Sequence, residues 1–445
     1  MRTHPAPRQA RGVVRLTYLL LLALAAFGAA CDTETLLDVE VPGRVPEEAL
    51  DNPALAQTLV NGVISDLECA WDSWVGLAAV HSDQFIHSSG NALMRSFGQR
   101  RMTADDATVG RSSCAVAFGV YTPLQTARYQ AEDIYRRLDS FSDALVPTKP
   151  LLKATVRAYG GYALVALGEG FCENAIDGGP IITRRQTLQL AEERFTEAIT
   201  LATSANNQDI LNMALAGRAR VRLDLENFAG AIADASRIPA GYVKLATRDA
   251  GDPRRFNKYF ENVSGPSIKH HTVAPRMRNL TWKGVPDPRV VVVAGTGRDS
   301  VGFDFATRWY FHQKNQSRET PHRLASYAEA QLVVAEASAR SGDLTTARRI
   351  INERHAAAGI PGVDVADAPT QTDVVRLIIE ERNRELFAEG GHRLNDHLRF
   401  RGTPLNVPFK GEPGSEYPNG LDHIGQQFGT TTCFALPSVE RAGRP

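Results

Sequence analysis

The chain has 445 residues, of which 50 are Lys or Arg and 50 are Asp or Glu, so its formal net charge is zero. A protein that binds nucleic acid through its phosphates needs a clustered basic surface, and this charge balance gives no indication of a nucleic-acid partner. The length is sufficient for one large core or for two domains.

The first residues are predicted to be an export signal. An apolar run from Leu16 to Phe27 is preceded by four arginines and no acidic residue. This run is shorter than the roughly 20 residues that a membrane-spanning helix needs, so it is typical of a cleavable signal peptide over residues 1–30. Removing it would leave a mildly acidic chain with a net charge of about −4, because four arginines and no acid are lost.

Cleavage would make Cys31 the first residue. Gly28, Ala29 and Ala30 precede it, and small residues before a cysteine are typical of bacterial lipoproteins, in which that cysteine carries the lipid. An odd number of cysteines is awkward in an oxidising compartment, and lipidation of Cys31 would leave an even four. The alternative is a soluble secreted protein with an unmodified Cys31, since an ordinary signal peptidase would accept Gly28 and Ala30.

Most of the following chain has the apolar period of α-helices, interrupted by short polar turns. Two segments match at an offset of 116 residues, with a small, a large and a small residue at the packing positions: Ala219, Phe228 and Ala231, then Ala335, Leu344 and Ala347. This spacing is typical of tetratricopeptide repeats, in which two antiparallel helices pack closely. A generic helical bundle is the alternative, because alanine is common wherever helices cross.

Further helical hairpins are predicted before and between these two segments. Leu151–Leu167 and Thr187–Thr203 form an interrupted third repeat, and a weaker helix pair is predicted around Pro123–Phe141. The helical scaffold would therefore occupy about residues 115–240 and 320–400.

Three regions lack the helical period and are predicted to be loop-rich, at about residues 65–114, 241–320 and 401–445. The second of them contains two β-like runs, Arg289–Ala294 and Ala306–Phe311. Long loops on a rigid scaffold are where binding surfaces usually lie, so we expect the ligand side of the protein here.

Several short motifs follow one another over nearly the whole mature chain. They are Leu36-Leu37-Asp38-Val39, Asn52-Pro53, Leu59-Val60-Asn61-Gly62, Gly179-Pro180-Ile181-Ile182, Arg323 to Ala330, Ile379 to Leu386, Glu389 to Arg393 and Ala435 to Glu440. In this order they resemble the SusD/RagB family of outer-membrane nutrient-binding lipoproteins. Leu394 and Asn395 replace an aromatic pair of the family, so the ligand cannot be carried over with the fold.

The resemblance implies one SusD-like domain over residues 31–445. Its expected fold is mostly α, a tetratricopeptide-like helical-hairpin scaffold with long irregular loops and a few short β-strands. The implied function is that of a surface-exposed lipoprotein of the outer membrane, held by the lipid on Cys31. It would bind a nutrient, with an oligosaccharide as the expected ligand, and deliver it to a SusC-type TonB-dependent transporter.

Motifs of catalysis are absent from the sequence. It contains no nucleophile elbow, no His-Glu-x-x-His zinc motif and no phosphate-binding loop. His392 and His397 are five residues apart, which is off the spacing that places two metal ligands on one helical face, and His270 and His271 are adjacent. We therefore expect no catalytic residue, no metal site and no cofactor.

Aromatic residues in the loop-rich regions are the candidate ligand-binding residues: Trp71, Trp74, Trp282, Trp309 and Tyr310. Sugars place their C–H faces on aromatic rings, while their hydroxyl groups bond to amides and charged groups. The alternative for each tryptophan is a place in the core, because the indole ring buries a large apolar area.

The four cysteines after Cys31 allow three pairings. Cys69 with Cys114 and Cys172 with Cys433 is the favoured set, because the first bond joins two loops near Trp71 and the second ties the C-terminal segment to the repeats. Each bond would stabilise the fold by roughly 2 to 4 kcal/mol.

Two other functions are compatible with the sequence. A repeat-containing envelope lipoprotein could scaffold protein assembly, which predicts buried tryptophans and an open groove on the repeats. A glycan-processing enzyme would instead need two carboxylates about 5 to 10 Å apart in one cleft.

Overall fold

The structure of the protein is a computed structural model that describes residues 47–442 except 111–118, 265 and 267. The predicted signal peptide, Cys31 and Cys114 lie outside the described residues. The chain divides at Asp51 into two units, and the described part of the first is a 3₁₀ helix, Glu47–Asp51. All of the following concerns the second unit, Asn52–Pro445.

Helices dominate the described residues of this unit. In chain order they are α1 Ala56–His81, α2 Ala92–Gly98, α3 Ala107–Gly110, α4 Tyr121–Ser140, α5 Lys149–Gly170, α6 Arg184–Ser204, α7 Gln208–Asp224, α8 Phe228–Ala235, α9 Tyr327–Arg340, α10 Leu344–Ala358, α11 Gln371–Glu385, α12 His392–Arg399 and α13 Ser438–Arg441. Within the part of the chain that the structure describes, none of the helices is both long and apolar enough to cross a bilayer.

The strands among the described residues are short and form two-stranded pairs. They are β1 Phe85–His87, β2 Glu173–Ala175, β3 Ile181–Thr183, β4 Val243–Ala246, β5 His271–Val273, β6 Thr281–Trp282, β7 Val285–Pro286, β8 Val292–Ala294, β9 Tyr310–His312 and β10 His322–Ser326. The antiparallel pairs are β1–β5, β4–β10, β2–β3, β6–β7 and β8–β9. The mostly helical fold with a few short strands is the predicted one.

The two matched segments form helical hairpins, α7–α8 and α9–α10. Ala219 and Ala335 are fully buried at the crossing of each pair. The polar break supplies the cap of each second helix, because the Asn227 side chain accepts a hydrogen bond from the Gly230 amide and Asp343 accepts one from Thr346. The two matched segments are therefore alike in structure, because in both a polar side chain caps the second helix of the hairpin.

The interrupted third repeat is the hairpin α5–α6, and a large ring fills its crossing. Phe195 is fully buried and lies against both Gly161 and Gly217. A Cβ atom at Gly161 would lie 2.7 Å from the Phe195 ring, and one at Gly217 would lie 2.3 Å from it. Glycine at these positions makes the close packing of three helices possible.

Two predictions about helices are corrected. The segment around Pro123–Phe141 is one 20-residue helix, α4, and not a pair, because it contains no turn residues that would break it. The predicted loop-rich region 65–114 begins inside the 26-residue helix α1. Every residue from Leu67 to His81 is buried, so the sequence of this stretch has no amphipathic period that would indicate a helix.

The C-terminal segment is irregular, as predicted, but it completes the core. Phe434 is fully buried, and its ring contacts those of Trp74, His81, Phe97 and Phe171. Cys433 forms a disulfide bond with Cys172, which is the pairing expected from the sequence. Cys69 is also disulfide-bonded, but its expected partner Cys114 lies outside the described residues, so that pairing stays a prediction.

Removal of the bond between Cys172 and Cys433 is expected to destabilise the protein. The two cysteines are 261 residues apart, so the bond restricts the unfolded chain strongly. We expect the double change C172A and C433A to lower the free energy of unfolding by about 2 to 4 kcal/mol, measured by urea unfolding. An unchanged urea midpoint would show that the packing of Phe434 holds the segment without the bond.

Candidate ligand-binding cleft

A β-hairpin of the central irregular region forms the base of the candidate site. In the pair β8–β9, Val293 lies opposite Phe311 and Ala294 lies opposite Tyr310. Because side chains alternate along a strand, Trp309 and Phe311 lie on the same face. Their rings are stacked, with centroids 4.7 Å apart and planes 20° apart.

The two rings of this stack differ in accessibility. Trp309 is only 2% exposed, and its indole N–H donates a hydrogen bond to the His271 carbonyl at 3.2 Å. Phe311 is partly exposed and packs on the Trp309 ring. The tryptophan therefore orients and supports a phenylalanine ring that a ligand can reach.

A cleft of about 460 Å³ opens over this stack. Its lining combines apolar groups with several hydroxyl, amide and carboxylate groups. The lining residues are Phe260, Pro266, Val293, Ala294, Gly295, Thr296, Asp299, Trp309, Phe311, His312, Gln313, Asn315 and Gln316. A volume of this size suits a small molecule or a few units of an oligomer.

The polar groups of the cleft are held in place by hydrogen bonds. The Asn257 amide donates to Asn315 Oδ1 at 2.8 Å, and the Gln316 amide donates to Gln313 Oε1 at 3.0 Å. Lys269 Nζ lies 2.7 Å from the carboxylate of Asp299, whose side chain is about half exposed. An aromatic base with amides and a carboxylate around it matches a ligand that has apolar faces and many hydroxyl groups.

Close backbone packing shapes one side of the cleft. A Cβ atom at Gly295 would lie 1.8 Å from the Asp299 carbonyl oxygen and 2.7 Å from the Trp309 ring. Only glycine therefore lets the 3₁₀ turn Gly297–Asp299 approach the indole and bring Asp299 to the rim.

The cleft lacks the pair of carboxylates that a glycan-processing enzyme would need. Asp299 is the one carboxylate among its described lining residues. Burial, together with the positive charge of Lys314, lowers the pKa of His312 to about 3, so this imidazole is neutral at pH 7. The arrangement supports binding better than proton transfer.

The structure separates the other predicted site residues from this cleft. Tyr310 points to the opposite face of the hairpin, where its ring lies 3.7 Å from the Arg278 guanidinium. Trp282 is partly buried against His355, with ring centroids 5.3 Å apart, and does not line the cleft.

Trp71 and Trp74 lie in the core and present no surface to a ligand. Both are fully buried in α1. Their indole N–H groups donate to backbone carbonyls, Trp71 to Arg323 at 3.1 Å and Trp74 to Gly390 at 3.0 Å. The expectation that they contact a ligand is therefore corrected, because Trp71 packs against Tyr162 of α5 and Trp74 packs against Phe434.

A second concavity lies on the helical scaffold. It has a volume of about 630 Å³ and is lined mostly by charged residues: Arg128, Glu132, Arg136, Asp177 and Arg194, with Tyr129 among them. Most of these charges are paired, since Arg128 lies 2.6 Å from Asp177 and Arg194 lies 2.5 Å from Glu132. The Tyr129 side chain is 48% exposed.

Stacked helical hairpins that carry an aromatic cleft in an irregular region define a helical-repeat binding protein. The sequence profile of the SusD family matches residues 192–427, which is more than half of the chain. The protein is therefore a member of the SusD family. SusD-family glycan-binding proteins are not enzymes, in agreement with the prediction from the sequence. None of the curated proteins compared with the chain matches it.

Solved structures support the same fold. A SusD superfamily protein from Bacteroides vulgatus superposes with a TM-score of 0.66 at 15% identity, over 88% of this chain and 97% of its own. Surface glycan-binding protein A from Bacteroides uniformis gives 0.64 at 14% identity, over 88% and 99%. Surface glycan-binding protein A from Bacteroides thetaiotaomicron, in complex with laminarihexaose, gives 0.59 at 14% identity, over 87% and 97%.

Proposed function

We propose that the protein binds an oligosaccharide at the cleft over Trp309 and Phe311 and delivers it to a SusC-type TonB-dependent transporter. The stacked pair beside Asp299, Gln313 and Gln316 carries this proposal, because the ring can take the C–H face of a sugar while the rim bonds its hydroxyl groups. The glycan ligands of the similar surface glycan-binding proteins support the ligand class.

Isothermal titration with a panel of oligosaccharides, including laminarihexaose, tests the proposal. We expect one member of the panel to bind and F311A to weaken its binding at least tenfold, equivalent to about 1.4 kcal/mol, because the ring is removed from the cleft. Y310A is the matched control, since its ring lies on the other face of the same strand, and it should retain the affinity. Equal losses in both variants would contradict the assignment of the cleft.

The proposal includes a lipid anchor on Cys31, which would hold the protein beside the transporter. A signal peptide over residues 1–30 and a lipid on Cys31 would tether a single domain, residues 31–445, to the outer membrane. The tether would raise the concentration of the binding protein beside its transporter. Membrane fractionation of the protein and of C31S tests the anchor, and recovery of C31S in the membrane fraction would contradict it.

The burial of three predicted tryptophans and the concavity on the scaffold favour a second candidate function. Trp71, Trp74 and Trp309 are buried, as the protein-scaffold hypothesis expected, and Tyr129 is exposed in the concavity of about 630 Å³. If this surface binds a protein, Y129A should weaken capture of that partner and leave glycan binding unchanged. Absence of glycan binding together with a Tyr129-dependent partner would favour the scaffold function over nutrient uptake.

A further inference from the structure

Two distant segments meet at a cluster of two histidines and one aspartate. His87 ends β1, while Asp422 and His423 lie in the C-terminal loop. Each residue contributes one potential metal-ligand atom, and these atoms all lie within 4.8 Å of one another. His87 and Asp422 are 1% and 6% exposed, so the cluster is not a set of solvated surface groups.

A chain of hydrogen bonds determines which nitrogen of His423 is free. The Thr307 hydroxyl donates its one proton to Asp304 Oδ2 at 2.6 Å, so its oxygen is the acceptor for His423 Nε2 at 3.0 Å. His423 therefore carries its proton on Nε2 and has a lone pair on Nδ1. This Nδ1 atom is buried and has no hydrogen-bond partner among the described residues.

The other two members contact each other directly. His87 Nε2 lies 2.9 Å from Asp422 Oδ2, and the Gln99 amide donates to the same oxygen at 2.8 Å. Two ligand atoms on one tetrahedral zinc ion lie at a similar separation, so an ion here would take the place of the proton between His87 and Asp422.

Neighbouring polar groups hold two of the three donors in place. Thr307 accepts a hydrogen bond from His423 Nε2, and the Gln99 amide donates one to Asp422 Oδ2. Such contacts are typical of the groups that orient metal ligands.

We propose that His87, Asp422 and His423 bind a divalent transition-metal ion, and that Zn²⁺ fits this donor set best. Two nitrogens and one carboxylate oxygen are typical zinc ligands and leave a fourth position for water. Ca²⁺ and Mg²⁺ prefer shells made of oxygen atoms, so two imidazoles disfavour them.

The ion would join β1 to the C-terminal loop, and Thr307 connects this site to a third segment through His423. Thr307 belongs to the turn that follows Gly302, and Phe305 in this turn is 82% exposed with a φ of 56°, which only local constraints can maintain in a residue with a side chain. A metal held by β1 and the C-terminal loop, and braced by Thr307, would fix this turn. The role is independent of glycan binding, because none of the three ligands lines the cleft.

The test uses the mature chain purified without a histidine tag and treated with a chelator. We expect equilibrium dialysis to recover one Zn²⁺ per chain, and Co²⁺ to give the visible absorption of a low-symmetry site with nitrogen and oxygen ligands. H423Q and D422N should each lower Zn²⁺ affinity at least a hundredfold. H270Q is the matched control, because His270 lies in the same region and its Nδ1 is already bonded to Ser89.

A second variant keeps the test valid if a ligand variant fails to fold. T307V retains all three ligands and removes only the hydroxyl that orients His423, so it should weaken Zn²⁺ binding about tenfold to a hundredfold. Binding that H423Q, D422N and T307V leave unchanged would overturn the proposal, as would the absence of bound Zn²⁺ in the folded wild-type chain. Glycan titration in the same preparations separates this result from the proposed function.

Discussion

The protein is expected to lose much of its stability between pH 7 and pH 5. Seven buried histidines have a lowered pKa: His81, His87, His270, His271, His312, His392 and His397. Burial is the main cause in each, and it lowers the pKa of His81 to about 3 and that of His270 to about 4. The folded state thus keeps these imidazoles neutral at pH values where the unfolded chain is protonated.

The direction of the effect follows from proton linkage. Below pH 6.5 the unfolded chain binds protons that the folded protein does not, so stability falls as the pH falls towards the lowered pKa of each histidine. Each group contributes up to about 1.4 kcal/mol per pH unit in this window. Two buried carboxyl groups act in the opposite direction, because burial raises the pKa of Asp224 to about 8 and that of Glu329 to about 7.

Urea unfolding at pH 7, 6 and 5 measures the net effect of the histidines and the two carboxyl groups on the free energy of unfolding. With the histidines outnumbering the carboxyl groups, we expect the free energy of unfolding to decrease on the order of 5 kcal/mol over this range. H271N should reduce the pH dependence, since His271 is fully buried. A chelator in all samples excludes metal release from His87 as the cause, and a urea midpoint independent of pH would contradict the prediction.

Replacement of Trp74 by alanine is expected to destabilise the protein strongly. Trp74 is fully buried, and a Cβ atom at Gly170 or Gly391 would lie only 2.2 or 2.3 Å from its ring. The cavity left by the indole could not close without movement of two helices. We expect W74A to lower the free energy of unfolding by about 3 to 5 kcal/mol in urea titrations.

Two further variants show how much of this loss of stability comes from the buried ring of Trp74. W74F should cost less than W74A, because it keeps an aromatic ring and leaves the Gly390 carbonyl bonded to Arg220 at 2.6 Å. W282A should also cost less, because Trp282 is partly exposed and its N–H lies 3.5 Å from the Gly362 carbonyl, at the limit of a hydrogen bond. A W74A protein with normal stability and weakened glycan binding would contradict the core assignment.

Local patterns were sufficient to predict the repeats but not the first long helix. Asn227 and Asp343 cap the second helices of two hairpins, so their signal is contained within a few residues of sequence. In α1, every residue from Leu67 onward is buried, and a helix that is covered on all sides has no polar face to reveal its period. The sequence around Trp71 and Trp74 therefore predicts a loop-rich region, because apolar and polar positions do not alternate with the period of a helix.

The residues of the candidate sites could not be predicted from the sequence, because they are determined by strand register and by contacts between distant parts of the chain. A sequence cannot show which neighbour of Tyr310 is exposed, because a shift of one residue in strand pairing exchanges the two faces. The observed pairing of Val293 with Phe311 makes Phe311 the accessible ring above Trp309. His87 and Asp422 are 335 residues apart, so no spacing rule for metal ligands could have linked them.

The place of Phe434 in the core has a consequence for biogenesis. Its backbone N–H donates to the Gly170 carbonyl at 2.8 Å, and its ring touches side chains of α1 and α2. Ribosomes and export channels release a chain from its N-terminal end, so this part of the core stays open until Phe434 has emerged. Folding to the stable state is therefore a late event, and a nascent chain paused before Phe434 should remain sensitive to proteases.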